Sequence, residues 1–383
     1  MRALPLLEPR RAALEKCVFC PKLCRSACPI SNAEPRETIT PWGKMSLAWM
    51  AAHGDVPLDA SHGHPAWACT GCHACRGSCD HRTPVAEVLL DARDALVRQG
   101  VAPAGATRVL AGFALHDRAV LTASRQLSSD PEVRDLLRAD STAALLVGCG
   151  YVLGHLAETR DAIAATAALG AGRPGGPPEP VSLVEACCGL PLRLAGDAEG
   201  FARHARSVAS SLRGKDRVTV VDAGCAMTLR TGYPAAGVKL DARVELLVER
   251  AARALPWLSR VDAASGPVRW HDPCQLGRGL GVYEAPRLVL GRALGRAPDE
   301  FDDRRQEAAC SGGGGLLPVT MPEIAGDIAK ARLDVHRRAG GGRLVTGCVS
   351  SLRSLRKQAR GTGVQVDDLV SWIGRALGVS GSL

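Results

Sequence analysis

The period of the apolar positions changes along the chain, from three and four before residue 100 to short unbroken runs beyond residue 140. In the first part Val85, Val88, Leu89, Ala92 and Leu96 line one stripe and Gly100 follows them, which predicts an amphipathic helix closed by a residue that accepts a left-handed turn. Upstream, Thr40-Pro41-Trp42-Gly43-Lys44 offers a threonine cap and a proline at the first helical position, and Met45, Leu47, Ala48, Trp49 and Met50 continue the helix. Beyond residue 140, five segments (TAALLVGCG, VSLVEACCG, RVTVVDAGC, PVRWHDPC and GRLVTGC) each run a short β-prone stretch into cysteine. Runs of four to eight apolar residues bounded by Gly or Pro fit buried parallel strands. Helical stretches from His155 to Leu169 and from Glu199 to Leu212 lie between them. Strand alternating with helix predicts an α/β half with parallel sheets, preceded by an α-helical domain.

The cysteines sharpen this division. Past residue 140, Cys149, Cys187-Cys188-Gly189 and Cys225 are followed by Cys274, Cys310-Ser311-Gly312 and Cys348, with matching positions 125, 123 and 123 residues apart. A fixed period of self-similarity means one duplicated unit. The expected domains are therefore 1–105, 140–260 and 265–383. Because ligands collect outside the carboxyl ends of parallel strands, each set of cysteines is expected to converge at the tips of its sheet.

The other eight of the fifteen cysteines form two tight runs, Cys17-x2-Cys20-x3-Cys24-x3-Cys28-Pro29 and Cys69-x2-Cys72-x2-Cys75-x3-Cys79. The second has the ligand spacing of bacterial ferredoxins, and the first has one extra residue between its second and third cysteines. Zinc sites pair two close ligands with a distant pair, which two runs of four do not resemble. Disulfides need an exported protein and suit an even count, whereas the start MRALPLLEPRRAALEK lacks a signal-peptide core and cleavage site. Two 4Fe–4S clusters are the expectation. In two-cluster ferredoxins the fourth cysteine of each run serves the other cluster. Cys17, Cys20, Cys24 and Cys79 would then hold one cluster, and Cys69, Cys72, Cys75 and Cys28 the other. The forty residues between the runs look helical, which points to a helical two-cluster domain rather than a compact β-rich ferredoxin.

Composition narrows the function. Aromatic residues make up 3% of the chain, too few for the stacking platforms that bind single-stranded nucleic acid. No stretch approaches the ~20 apolar residues that span a bilayer. The net charge of +9 partly offsets anionic clusters and leaves a basic face for an acidic partner or a membrane surface. These features predict a cytoplasmic protein, with the inner face of the membrane as a peripheral alternative.

The pattern Cys…Cys-Cys-Gly…Cys, and the segment His271-Asp272-Pro273-Cys274-Gln275-Leu276-Gly277-Arg278 continuing to Tyr283-Glu284-Ala285-Pro286-Arg287, resemble the CCG cysteine-rich domain. This domain occurs behind a helical two-cluster domain in the iron–sulfur subunits of glycolate oxidase and of anaerobic glycerol-3-phosphate dehydrogenase, and in the heterodisulfide reductase family. The resemblance implies an electron-transfer subunit that takes electrons from a partner flavoprotein oxidising a 2-hydroxy acid or similar metabolite. A membrane-associated or quinone-linked protein would be the acceptor. The chain departs from the family where a closing Cys-x-x-Cys is expected: Cys225-Ala226-Met227-Thr228 and Cys348-Val349-Ser350-Ser351 both lack the final cysteine, and Ser311 replaces the second cysteine of Cys-Cys-Gly. Cys149, Cys187, Cys188 and Cys225 remain enough for a third centre, an iron–sulfur cluster or zinc. Cys274, Cys310 and Cys348 make a poorer shell, because a serine hydroxyl is a weak donor to soft metals. Two rivals stay open: a heterodisulfide-reductase-like thiol–disulfide catalyst centred on the first repeat, and a redox-sensing cluster protein.

Smaller features carry paired readings. Gly312 to Gly315 lack the Lys-Ser/Thr of a Walker loop and suit close backbone approach around Cys310. His271 and Asp272 either move protons or hold a strand tip by hydrogen bonds. His53, His62 and His64 fit a solvated loop better than a metal site. Lys22, Arg25 and Arg76 lie among the cluster ligands, where they either raise the reduction potential or are surface charge. No Gly-x-Gly-x-x-Gly follows a strand and opens a helix, so a dinucleotide has to come from elsewhere.

Overall fold

The computed structural model describes residues 1, 3–20, 24–261 and 266–380. Its first part is helical. Thr40 Oγ1 accepts from Gly43 N at 3.0 Å and opens the helix Pro41–His53, which Gly54 ends at φ 82°. The helix Val85–Arg98 packs its apolar stripe against it, and Leu7, Leu14, Met45, Trp67, Val88 and Leu89 are buried between them and the helix Arg11–Val18. Among the described residues no strand precedes residue 143.

Two parallel sheets follow. Strands β1 (Ala143–Leu146), β2 (Ser182–Leu183), β3 (Arg217–Val220) and β4 (Arg243–Leu246) pair in the order β2-β1-β3-β4. Strands β5 (Val268–Trp270), β6 (Arg343–Thr346) and β7 (Gln365–Asp368) pair in the order β5-β6-β7. A single parallel bridge between Arg269 and Asp299 stands beside β5 where β2 stands beside β1. The second sheet therefore repeats the first with its outer strand reduced to one bridge. All five cysteine-bearing segments contain the expected strands. Two strands carried no such signal: β4 and β7 read RVEL and QVDD, edge strands too rich in polar residues to stand out as apolar runs.

Between the helical part and β1 runs a helix that the apolar pattern did not predict, Ala104–Leu127. Its buried Ala106, Phe113, Val120 and Leu127 recur every seven residues, with Gly105 and Ser124 buried beside them.

One apolar core continues through both sheets, including Leu145, Val220, Trp270, Val345 and Trp372. Tyr151 Oη donates to Asp368 Oδ2 at 2.7 Å, Arg356 pairs with Glu158 at 2.7 Å, and Val349 N donates to Asp222 Oδ1 at 3.2 Å. The repeats are thus interlocked. A second apolar cluster joins Cys28, Ile30, Ile39, Ala68 and Cys72 to Cys310, Leu317, Ala325 and Ile328 of the second repeat. The glycine run makes that contact close: a Cβ on Gly314 would strike Thr70 O, and one on Gly315 would strike Cys69 O. Arg93 crosses the same junction, donating to Ala66 O at 3.0 Å, Cys69 O at 3.0 Å, Leu194 O at 2.8 Å and Gly315 O at 3.1 Å.

Candidate metal centres

The helical part gathers its eight thiols into two groups. Burial pushes Cys17 up to about 12, and the neighbouring thiols of Cys24, Cys79 and Cys20 add to the rise. Cys24 is pushed up to about 11 by burial and then by Cys79. In the other group, burial raises Cys75 well above the ordinary thiol value, helped by Cys72, Cys69 and Cys28. The fourth cysteine of each run thus lies with the first three of the other. Cys79 differs from the rest: burial opposes its ionisation, but hydrogen bonds from Thr83 and from the backbone of His81 and Arg82 bring it below the ordinary value. Crowded, buried thiols of this kind disfavour thiolates unless cationic charge is set among them, and four soft donors per group fit a 4Fe–4S cluster.

The second group also holds a protein cation. Lys44 is buried; its Nζ donates to Ala68 O at 2.6 Å and lies 3.7 Å from Cys28 Sγ. Sequence reasoning passed over it, although Lys44 shares a helical stripe with the buried Ala48, Ala51 and Ala52 and a lysine on such a stripe is a signal. The basic residues singled out instead pair with acids: Arg25 with Glu37, and Arg76 with Glu87 at 3.7 Å. Lys22 lies outside the described residues. Arg278 Nε donates to Cys72 O at 2.6 Å, which ties the second run to the second repeat.

In the first repeat the thiols stand at the carboxyl ends of β1 and β3 and on the turn after β2. Cys149 Sγ and Cys187 Sγ are 3.8 Å apart. Cys188 hydrogen-bonds to Cys187 and to Cys225, which hold it well below the ordinary thiol value. Cys149 is lowered to about 6, by its bond from Cys187 first and, against the cost of burial, by the His116 imidazole. Among the described residues, His116, Cys149 and Cys187 form the one group of three such donors whose ligand atoms lie within 4.8 Å of one another. His116, like Lys44, was not singled out from the sequence. It sits on the unpredicted helix, far from any cysteine in sequence. A cavity of about 720 Å³ opens beside these groups, lined by His116, Cys149, Cys188 and Cys225 from one side and by Gln275 and Val349 from the other.

The second repeat is arranged differently. Cys310 hydrogen-bonds to Cys274 and to Cys72 of the second run, and burial adds to the first of these in pushing it up to about 12. Cys348 Sγ instead lies 3.8 Å from Gln275 Oε1. Ser311 and Ser351, which replace family cysteines, hydrogen-bond to each other at 2.9 Å and are buried. His271 and Asp272 serve the strand tip. His271 accepts from Arg332 Nε at 3.2 Å and stays neutral, held down to about 3 by burial and by Arg332. Asp272 takes a bidentate contact from Arg287 at 2.8 and 2.7 Å, and Trp270 Nε1 donates to it at 2.9 Å. His53 and His62 are engaged locally, with Trp49 O at 2.9 Å and Asp59 Oδ1 at 2.8 Å.

Comparison with known families finds both kinds of domain. A 4Fe-4S dicluster domain matches residues 13–83, and the CCG cysteine-rich domain matches residues 177–230 and 268–356. The chain is 25% identical over 328 residues to a subunit of the dihydromethanophenazine:CoB–CoM heterodisulfide reductase of Methanosarcina mazei, covering 81% of this chain and 78% of that protein. It is 30% identical over 166 residues to a subunit of the fumarate reductase (CoM/CoB) of Methanothermobacter marburgensis, covering 43% and 32%. Against lactate utilization protein A of Macrococcus caseolyticus it is 24% identical over 192 residues, covering 48% and 77%. The chain spans 32% to 51% of the length of several of its curated relatives. Among the described residues no helix is long and apolar enough to cross a membrane.

Proposed function

We propose that this chain, which joins a 4Fe–4S dicluster domain to two cysteine-rich CCG regions, is the electron-transfer subunit of an oxidoreductase. In this reading Cys17, Cys20, Cys24 and Cys79 hold one 4Fe–4S cluster, and Cys28, Cys69, Cys72 and Cys75 hold the other. The four thiols of the first repeat hold a third centre. Such centres, when bound, accept and release single electrons. One observation carries the reading: the soft donors form a line through the molecule that only Gln275 interrupts. Cys24 neighbours Cys28, Cys72 touches Cys310, Cys310 touches Cys274, and the adjacent Gln275 reaches both Cys348 and the backbone at Gly224 beside Cys225. The protein's own part is to bury these donors, space them and exclude water.

The donor in this reading is a flavoprotein dehydrogenase, and the relative named for lactate utilization favours a 2-hydroxy acid as its substrate. The acceptor docks at the CCG half and is membrane-associated or quinone-linked. The disulfide-cleaving alternative draws on the relatives named heterodisulfide reductase, but it requires complete cysteine sets. The hydrogen bond between Ser311 and Ser351 takes up two of those positions.

Iron and sulfide per chain, with low-temperature EPR of anaerobically purified protein, test this. About eight irons are expected from the helical part. Cys24→Ser and Cys72→Ser should each abolish or convert one signal and leave the other. A protein that holds zinc there and shows no reducible iron signal would sink the proposal.

A further inference from the structure

A full family repeat offers five cysteines, and the first repeat here offers four. The missing fifth falls at Thr228, whose hydroxyl is committed to Gly224 O at 2.7 Å and is a hard donor besides. We propose that His116 supplies the fifth donor, as the imidazole ligand of a metal centre whose sulfur ligands come from Cys149, Cys187, Cys188 and Cys225. This rests on the reading of the first-repeat thiols as a metal centre, and adds to it a ligand from an element outside both CCG matches.

The spacing suits a metal. Two thiolates on one tetrahedral ion with metal–sulfur bonds of ~2.3 Å lie roughly 3.8 Å apart, and Cys149 Sγ and Cys187 Sγ are 3.8 Å apart. A disulfide would need about 2.05 Å. The ligand atoms of His116, Cys149 and Cys187 all fall within 4.8 Å of one another, so a nitrogen and two sulfurs can meet one ion.

The ring hydrogen-bonds to Cys149, and one of its nitrogens is left open. Among the described residues His116 Nε2 is buried without a hydrogen-bond partner. A buried ring nitrogen left unpaired is destabilising, a cost that donation of its lone pair to a metal removes. The neighbouring side chains hold the backbone of Cys187 in place. Asp117 Oδ1 accepts from Cys187 N at 2.8 Å, His204 contacts Cys187 O at 2.7 Å, and the rings of Phe113 and His204 meet edge to face at 5.0 Å. One turn of the helix Ala104–Leu127 thus grips the backbone of Cys187 and presents His116 to its sulfur. A neutral nitrogen in place of a thiolate also leaves the centre less negative, which raises its potential if it holds iron.

Full-length protein, purified anaerobically, provides the test. Iron, zinc and sulfide per chain are counted in wild type, Cys187→Ser, His116→Ala and His116→Cys, with X-ray absorption at the edge of whichever metal is found. The metal lost in Cys187→Ser defines the third centre. His116→Ala is expected to lose the same increment, or to hold it at least about tenfold more weakly against a chelator. A nitrogen shell at ~2.0–2.1 Å should vanish with it. His116→Cys should retain the metal. EPR of the N-terminal clusters, unchanged in all variants, shows that each chain is folded. If Cys187→Ser loses nothing relative to wild type, the third-centre reading itself fails. If Cys187→Ser loses metal while His116→Ala keeps it with an unaltered spectrum, only the histidine ligand is overturned.

Discussion

An ammonium group buried without a partner costs several kcal/mol, so lysines on apolar stripes usually reach back to water. Lys44 does not. Burial works to lower its pKa, but the thiols of Cys28, Cys69, Cys75 and Cys72 together raise it, and the side chain stays charged beside them. A fixed positive charge at ~4 Å is worth up to about 4 kcal/mol at an effective dielectric of 20. Lys44→Met should therefore lower the reduction potential of the cluster held by Cys28, Cys69, Cys72 and Cys75, by on the order of 100 mV. The other cluster should hardly move. An EPR-monitored redox titration reads both, and equal shifts in the two would refute the assignment. Arg25 and Arg76 attracted notice through their place in the cysteine runs, yet both are spent on acids. Position in a motif says which residues are near in sequence, and burial alone says which charge a cluster meets.

At the scale of elements, the junction between β7 and the helix Leu369–Ala376 holds a second buried charge. Burial pushes Asp368 up to about 7, although hydrogen bonds from Val370 N at 2.9 Å and Tyr151 Oη at 2.7 Å resist the rise. Glu158 and Arg356 also face it, the first raising and the second lowering its pKa. The folded value lies above the ordinary 3.8, so the fold binds this proton more tightly than the unfolded chain does. Its contribution to stability is complete below the unfolded value and is lost as pH rises through the folded one. Asp368→Asn keeps the helix cap and removes the ionisation. Between pH 6 and 8.5 the variant should gain about 1 kcal/mol on the wild type, seen as a widening gap in thermal midpoints. A gap that stays constant would show that Asp368 does not ionise in that window. Neither this junction nor β4 was legible in the apolar pattern. Edge strands four residues long and half polar look like loops until their neighbours are known.

Across the whole molecule, Arg93 serves all three parts at once through the carbonyls of Ala66, Cys69, Leu194 and Gly315. Arg93→Met would strand four acceptors, two of them fully buried, and should destabilise the protein by about 3–5 kcal/mol. Hydrogen exchange should show the loss first in the Cys69–Thr70 loop and the glycine run that abuts it. An unchanged melting temperature with unaltered exchange there would contradict this role. The sequence by itself determined the two cysteine runs, the helical and α/β halves, the five strands that deliver cysteines and the period that duplicates them. Each of those rests on spacing within a few turns of chain or on an exact repeat, which one dimension records. Tertiary structure alone decided that His116 comes to Cys149 and Cys187, that Lys44 faces the second thiol group, and that Cys310, besides meeting Cys274 of its own repeat, reaches Thr70, 240 residues away. Local periodicity states which face of an element is buried. Which distant element it is buried against depends on how the layers close, and that is where these sites arise.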